Sequence, residues 1–449
     1  MNVVLVSTYE LGRQPFGLAS PAAWLRQAGH SVSCADLSRQ PLDETAVRDA
    51  SFIAFFLPMH TATRLALPVI DRVRMLNPAA RLAAYGLYAP LNGALLRAHG
   101  VSSIFGGEFE PDLVRAAAGL PDAQQVPASI PRLTFLTPDR RDLPPLSQYA
   151  ALMMPDGSRR VAGYTEASRG CKHLCRHCPV VPIYDGQFRI VNHEVVLADI
   201  REQVERGAQH VTFGDPDFFN GIGHALRVVD RVAREFPELT YDVTIKIEHL
   251  LQHAQHLAKL RETGCLFVTS AVEAVDDRIL KLLDKGHTRE DFIRTVGLCR
   301  NAGLTLSPTF VAFTPWTTLD GYRELLGMVD ELDLVEQVAP IQLTIRLLMP
   351  EGSRLLRLSQ VREILGPFDS EKLIYRWVHP DPRVDELQCV LAALVGARPA
   401  ESRRSMFETM WSLAHAGGDG QPRPLSARDR NPQGIAYVDE PWYCCAEPV

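Results

Sequence analysis

The sequence predicts an α/β protein built from two alternating strand–helix series and an irregular C-terminal tail, and three observations carry that prediction. Residues 1–122 alternate short apolar runs with helical patterns, the signature of a doubly wound parallel sheet. Residues 123–159 form a connector with Pro127, Pro131, Pro138, Pro144, Pro145 and Pro155, whose fixed φ angles and missing donors exclude a long helix. A second alternating series occupies residues 160–355. Its six or so βα units in roughly 190 residues suit an open, partial barrel better than a closed eight-stranded one. The chain thus divides into a Rossmann-like domain over 1–122, a linker over 123–159, a partial (β/α)6 barrel over 160–355 and a C-terminal extension over 356–449.

In the first series Val3-Val4-Leu5-Val6 reads as a buried strand, and a helix is expected from about Pro21 to Ala28. Further strands are expected over 31–35, 52–57, 81–85 and 102–105. The first strand runs into Ser7-Thr8-Tyr9-Glu10-Leu11-Gly12, so no dinucleotide fingerprint is present. In the second series strands are expected over 161–165, 211–213, 243–247, 266–270, 305–312 and 341–348. Tyr322, Leu325, Leu326 and Val329 share one helical face. Thr288 with Asp291 resembles a capping box, and Gly303 suits the residue that ends that helix.

Composition narrows the function classes. The chain has 449 residues, 46% hydrophobic and 22% charged, with a formal net charge of −6. A mildly acidic chain carries no global electrostatic footprint for nucleic acid or an anionic membrane. No apolar run approaches the ~20 residues of a bilayer span, and the start MNVVLVSTYE lacks signal-peptide features. The expectation is a cytoplasmic protein with no nucleic-acid or membrane partner. Nine cysteines are too few for a disulfide scaffold, so clustered ones read as metal ligands or reactive thiols.

The strongest signal is Cys171-Lys172-His173-Leu174-Cys175-Arg176-His177-Cys178, a C-x3-C-x2-C run just after the first strand of the second series. Three thiolates on one short loop can hold three irons of a 4Fe–4S cluster and leave the fourth open. A Cys3His zinc site through His173 or His177 is the rival reading. At these residues the chain resembles the radical S-adenosylmethionine (SAM) enzymes. The resemblance implies that Cys171, Cys175 and Cys178 bind the cluster, and that SAM binds the open iron and is reductively cleaved to a carbon radical. It also implies an electron donor such as a flavodoxin or ferredoxin. His177 departs from the aromatic residue usual before the last cysteine.

Weaker segments support the resemblance. Gly214 and Asp215 lie in Phe213-Gly214-Asp215-Pro216-Asp217, similar to the family segment that holds the SAM amino group. Glu273 in Val272-Glu273-Ala274 is similar to a family glutamate, and Lys285-Gly286-His287-Thr288 to a segment that follows it. Lys246 is a lesser candidate for cofactor contact. The front domain resembles the cobalamin-binding domain often fused before such barrels. Its D-x-H-x-x-G segment is absent, and the region reads Gly86-Leu87-Tyr88-Ala89-Pro90. Cobalamin, bound without a histidine ligand, is therefore the lesser expectation.

The tail Pro441-Trp442-Tyr443-Cys444-Cys445-Ala446-Glu447-Pro448-Val449 holds adjacent thiols. Such a pair is either incidental or a soft-ligand and redox site. Its wording resembles a radical SAM subgroup whose members end in Cys-Cys-Ala-Glu-Pro or carry selenocysteine at the second position. This implies catalytic roles for Cys444 and Cys445, with Gly417–Asn431 as a flexible loop giving them reach. Cys389 is left open as a third thiolate, whereas Cys34, Cys265 and Cys299 read as core.

Three functions follow as expectations. The first is a radical SAM transferase acting on a small molecule or metalloid held by the tail, with trivalent arsenic and C–As bond formation, as in organoarsenical antibiotic biosynthesis, as the soft-ligand candidate. The second is a cobalamin-dependent radical SAM methylase with the tail as thiol reductant. The third is a non-enzymatic iron–sulfur redox or metalloid sensor.

Overall fold

The computed structural model of the chain describes residues 1–120, 130–416, 425 and 434–439. Its front sheet contains β1 (Asn2–Ser7), β2 (Ser31–Asp36), β3 (Phe52–Phe56), β4 (Arg81–Tyr85) and β5 (Ser103–Phe105). These strands run parallel in the order β2-β1-β3-β4-β5. The sheet is apolar on both faces because helices cover both. Val4, Val6, Ile53 and Phe55 pack on one side, and Val3, Leu5, Phe52 and Ala54 on the other. The order reverses between β1 and β3, which opens a crevice at their carboxyl ends.

The first helix spans Phe16–Gln27, five residues earlier than Pro21 suggested. Pro21 sits inside it and cannot donate to the Gly17 carbonyl. The Tyr85 hydroxyl donates to that carbonyl instead, at 2.8 Å, so the helix keeps its first turns.

The second sheet has β6 (Ala151–Met153), β7 (Arg159–Thr165), β10 (His210–Phe213), β11 (Thr240–Thr244), β12 (Cys265–Glu273), β13 (Thr305–Phe310) and β16 (Tyr437–Val438). Its order is β13-β12-β11-β10-β7-β6-β16. The five strands from β7 to β13 are parallel, and β6 and β16 extend the sheet antiparallel beyond β7. The small pairs β8 (Ser168–Gly170) with β9 (Phe188–Ile190), and β14 (Leu365–Asp369) with β15 (Ile374–Trp377), are separate. The helix Arg289–Asn301 carries the expected capping box, and Leu319–Glu331 buries its apolar face.

The expected sixth strand over 341–348 does not form. Pro340–Leu343 is a 3-10 turn, and a single parallel bridge joins Arg346 to Phe313. A proline at the start of the segment removes a ladder donor and favours the turn. The C-terminal extension is more regular than expected. Helices Pro382–Ala397 and Arg403–His415 place Val384, Leu391, Met406, Phe407 and Trp411 in the barrel core. Among the described residues, no helix is long and apolar enough to cross a membrane.

Arg140, in the proline-rich stretch, is fully buried. Its guanidinium donates to Asp199 at 2.8 and 3.0 Å, to Gln14 at 2.8 Å and to the Tyr164 carbonyl at 2.7 Å. It therefore ties the front domain to the first barrel strand and the helix His193–Glu205. Removing one member of a buried pair strands the other charge, at a cost of about 3–5 kcal/mol. Urea unfolding should show a loss of that size for Arg140→Ala, and a loss under 1 kcal/mol would show that the pair does not fasten the two parts.

Candidate active site

The cysteine loop begins where β8 ends. Gly170 has φ +77°, and a Cβ there would stand 2.4 Å from the Tyr184 ring and 2.5 Å from the Gln187 carbonyl, so only glycine allows the turn. The loop is pinned by backbone bonds from Cys171 to Gln187 and from Arg176 to Leu283. The Asn220 side chain also accepts from Lys172 N–H at 3.1 Å. Cys171 and Cys175 are buried and Cys178 is partly so; none of the three is in a disulfide, and all line one cavity. A sulfur-rich donor set of this kind suits iron–sulfur ligation.

Opposite the loop stands a buried charge group. Glu273 Oε1 lies 3.0 Å from His177 Nε2 and 3.3 Å from Lys285 Nζ. Burial alone would raise the Glu273 carboxyl, but Lys285 and His177 outweigh it and hold the group at about 2. Glu273 has φ +72° at a register shift in β12, and this turns its side chain inward. His177, the departure from the aromatic pattern, thus completes an ion-pair group. Lys246 caps the helix Ile247–Gln252 just past β11, which ends at Thr244 and not at 247 as expected.

Asp215 is not free to meet a ligand with both oxygens. It accepts from Ala167 N–H at 2.9 Å and from the Ser168 hydroxyl at 2.5 Å, and burial pushes its carboxyl up to about 7. Its geometry holds the strand end that leads into the cysteine loop. Gly214 packs under Tyr164, whose hydroxyl oxygen would be 1.7 Å from an added Cβ.

The cavity is shared with the front domain. Residues following β1 (Glu10, Arg13), β3 (Pro58, Met59), β4 (Gly86, Leu87) and β5 (Gly107, Phe109) line it together with the cysteines, Gly214, Asp215, Lys246 and Glu273. The structure therefore brings Cys171, Cys175, Cys178, Gly214, Asp215, Lys246 and Glu273 to one space, at the switch point of the front sheet. Sequence reading missed Glu10, Arg13, Arg169 and Glu166. Burial raises the Glu10 carboxyl well above the ordinary range, with Glu166 and Asp36 adding to it. The inward alternation of Asp242, Thr244 and Lys246 around β11 was available as a period-two signal. Nothing local marked Glu10.

Cys389 is exposed on its helix and does not line this cavity. Cys34, Cys265 and Cys299 are buried core residues. Cys444, Cys445 and most of the 417–431 loop lie outside the described residues. The strand before the tail is described: Ala436, Tyr437 and Val438 form part of the cavity wall.

The Glu273 group predicts a pH signature. Its folded-state pKa is depressed, so its contribution is full above the unfolded value near 4.5 and is lost as pH falls toward about 2. The stability gap between the cluster-free wild type and Glu273→Gln should shrink over that window in thermal melts. A gap independent of pH would mean that the ion pair is not formed.

Comparison with known proteins agrees with this geometry. Residues 165–319 match the radical SAM superfamily. A tRNA-2-methylthio-N(6)-dimethylallyladenosine synthase of Chlorobium phaeobacteroides (strain BS1) is 25% identical over 194 residues, 40% of this chain and 41% of that protein. The chain thus spans about two fifths of that relative's length. Two solved structures share the fold at low identity. The cobalamin-dependent S-adenosylmethionine radical enzyme OxsB, with aqua-cobalamin bound, has a TM-score of 0.71 at 14% identity, covering 92% of this chain and 71% of that one. The radical SAM methyltransferase TsrM from Kitasatospora setae has a TM-score of 0.65 at 16% identity, covering 87% and 89%. The chain therefore carries a radical SAM domain over residues 165–319, and with it an enzymatic core of the kind that cleaves S-adenosylmethionine.

Proposed function

We propose that the protein is a cobalamin-dependent radical SAM methylase acting on a small-molecule substrate. The observation that carries this reading is the single cavity walled on one side by the cysteine loop and on the other by the carboxyl edge of the front sheet at its switch point. The fold likeness to OxsB, a protein with cobalamin bound, supports it.

The residues fit both groups. Cys171, Cys175 and Cys178 would hold a 4Fe–4S cluster, beside a Lys285 ammonium whose charge acts on Cys175 and Cys178. Gly214, Lys246 and Glu273 face the space next to the loop and are assigned to SAM, with Asp215 as a positioning residue. On the front side Gly86, Leu87, Gly107 and Met59 give small or apolar lining beside the charged Glu10 and Arg13. A Cβ on Gly86 would press to 2.8 Å on the Leu57 carbonyl. Leu87 occupies the region where a histidine ligand would be sought, so the corrin would bind without one. When bound, the cluster and SAM supply a carbon radical and the corrin supplies a methyl carrier.

Cys444 and Cys445 fit a thiol-reductant role. The chain is fixed at Asp439, which accepts from Ala151 N–H at 2.8 Å and pairs with Arg159 at 2.9 Å. Five residues lead from there to Cys444, a reach of at most about 18 Å at 3.3–3.6 Å per residue. The arsenic substrate rests on that pair alone, and no described residue of the cavity favours it.

Anaerobic reconstitution with iron, sulfide and hydroxocobalamin tests the reading. About four irons and one corrin per chain are expected, with SAM cleavage on reduction. Cys175→Ala should lose the cluster absorption and the cleavage and keep the corrin. A chain that takes up stoichiometric zinc and no iron would overturn the cluster; one that excludes the corrin would overturn the methylase. The double variant Cys444→Ser, Cys445→Ser should keep its cluster and abortive SAM cleavage and lose multiple turnover.

A further inference from the structure

We propose that Asp242, on the inner face of the barrel, anchors a primary ammonium group of the substrate beside the Phe267 ring, so that the substrate class is small-molecule amines. This deepens the radical SAM reading and rests on it; it makes no use of the corrin.

Asp242, Thr244 and Lys246 are successive inward positions of β11 and its exit, and all three line the cavity. Lys246 stands at the strand exit, beside the space assigned to SAM. Asp242 comes four residues earlier, about 13 Å deeper at about 3.3 Å per residue. It therefore lies on the barrel floor, below the groups assigned to the cluster and SAM. Its register partners are Thr212 on one side and Phe267 on the other. Thr244 and Thr269 are partners one layer higher.

The carboxylate is fixed from behind and open in front. Asp242 is 5% exposed. Its Oδ2 accepts from the Thr212 hydroxyl at 2.6 Å and from His210 Nε2 at 3.0 Å. His210 is fully buried, and its Nδ1 lies 2.9 Å from Thr240 Oγ1, so the imidazole is held at both nitrogens. Among the described residues, Oδ1 has no hydrogen bond and no lysine or arginine pairs with Asp242. The neighbouring carboxylates are answered within the protein: Glu273 by Lys285 and His177, and Glu166 by Arg169. Asp242 alone among these three presents an uncommitted oxygen to the cavity without a lysine or arginine partner.

The shape of the site selects the ligand. Phe267 is 6% exposed, and its ring stacks against His210 with centroids 6.2 Å apart, so it too is fixed. A cation between a carboxylate oxygen and an aromatic face is attracted by both. A guanidinium seeks two carboxylate oxygens, and Oδ2 is already filled. One carboxylate oxygen beside a phenyl ring does not make a metal shell. A primary ammonium needs a single strong acceptor, and the Thr244 and Thr269 hydroxyls one layer up offer it further ones.

The test is equilibrium dialysis of anaerobically reconstituted holoprotein with SAM against phenethylamine and its neutral counterpart 2-phenylethanol. The amine should bind at least about tenfold more tightly than the alcohol, as a charged hydrogen bond requires. Asp242→Asn should lower amine affinity at least about tenfold and leave alcohol affinity, SAM affinity and cluster absorption unchanged. Should that variant fail to fold, Phe267→Leu decides, with amine affinity falling at least about threefold as the ring beneath the cation is lost. Cluster absorption and SAM affinity in the same samples report on the radical SAM reading, so its failure shows separately from loss of the amine site. No amine binding, equal binding of amine and alcohol, or unchanged amine affinity in the folded variant would overturn the proposal.

Discussion

The arrangement depends on one buried cation, Arg169, two residues before Cys171. Its guanidinium meets Glu166 at 2.8 Å, Glu110 at 2.7 Å and Glu108 at 3.4 Å. Glu108 and Glu110 belong to the front domain, and Glu166 follows the first barrel strand. Three carboxylates around one guanidinium cannot all stay ionised cheaply in a buried site. Burial lifts Glu108 to about 7, with Arg169 opposing it. The network is complete only when the two sheets are docked, because its carboxylates come from both of them. Docking and loop placement become one event: the residue that fastens the front domain also sets where the cysteine loop begins.

That coupling explains why polar groups crowd the shared cavity. The carboxyl ends of both parallel sheets open toward it, and residues at the ends of β1, β3, β4, β5, β7, β10, β11, β12 and β13 converge there. Asp215 and Gln203 secure the first barrel strand and its exit by accepting from Ala167 and Tyr164 N–H groups. Glu273, forced inward by its positive φ, faces His177 from the cysteine loop itself. Each contact fixes a piece of loop that has little core of its own to hold it.

Much of this was legible from local pattern, where the signal is periodic. The first parallel series, the first five strands of the second, the capping box at Thr288 and the face of Tyr322, Leu325, Leu326 and Val329 depend on neighbours within a few residues, and they are present in the fold. What failed depends on partners far along the chain. Pro21 looked like a helix start because the Tyr85 hydroxyl that relieves it is 68 residues from Gly17. The run 341–348 has the apolar content of a strand, but Pro340 turns it before it can pair. Arg140, Arg169 and Glu10 look like ordinary surface charges in sequence, and burial alone gives them meaning. The three cysteines were visible because their chemistry needs them on one loop.

The same distinction between local and distant constraint changes how the tail must be read. A flexible stretch over 417–431 suggested long reach for Cys444 and Cys445. Tyr437 and Val438, however, pair antiparallel with Met153 and Leu152, and Asp439 is tied to Ala151 and Arg159. Slack before an anchor adds nothing beyond it. The distance available to the thiols is set by the five residues after Asp439, and their starting point adjoins the cavity wall formed by Ala436, Tyr437 and Val438. A short tether at a fixed origin raises effective concentration far more than a long free one, because fewer conformations are lost on contact. The added strand at the sheet edge thus brings the chain as far as Asp439 beside the cavity shared by the cysteine loop and the front sheet.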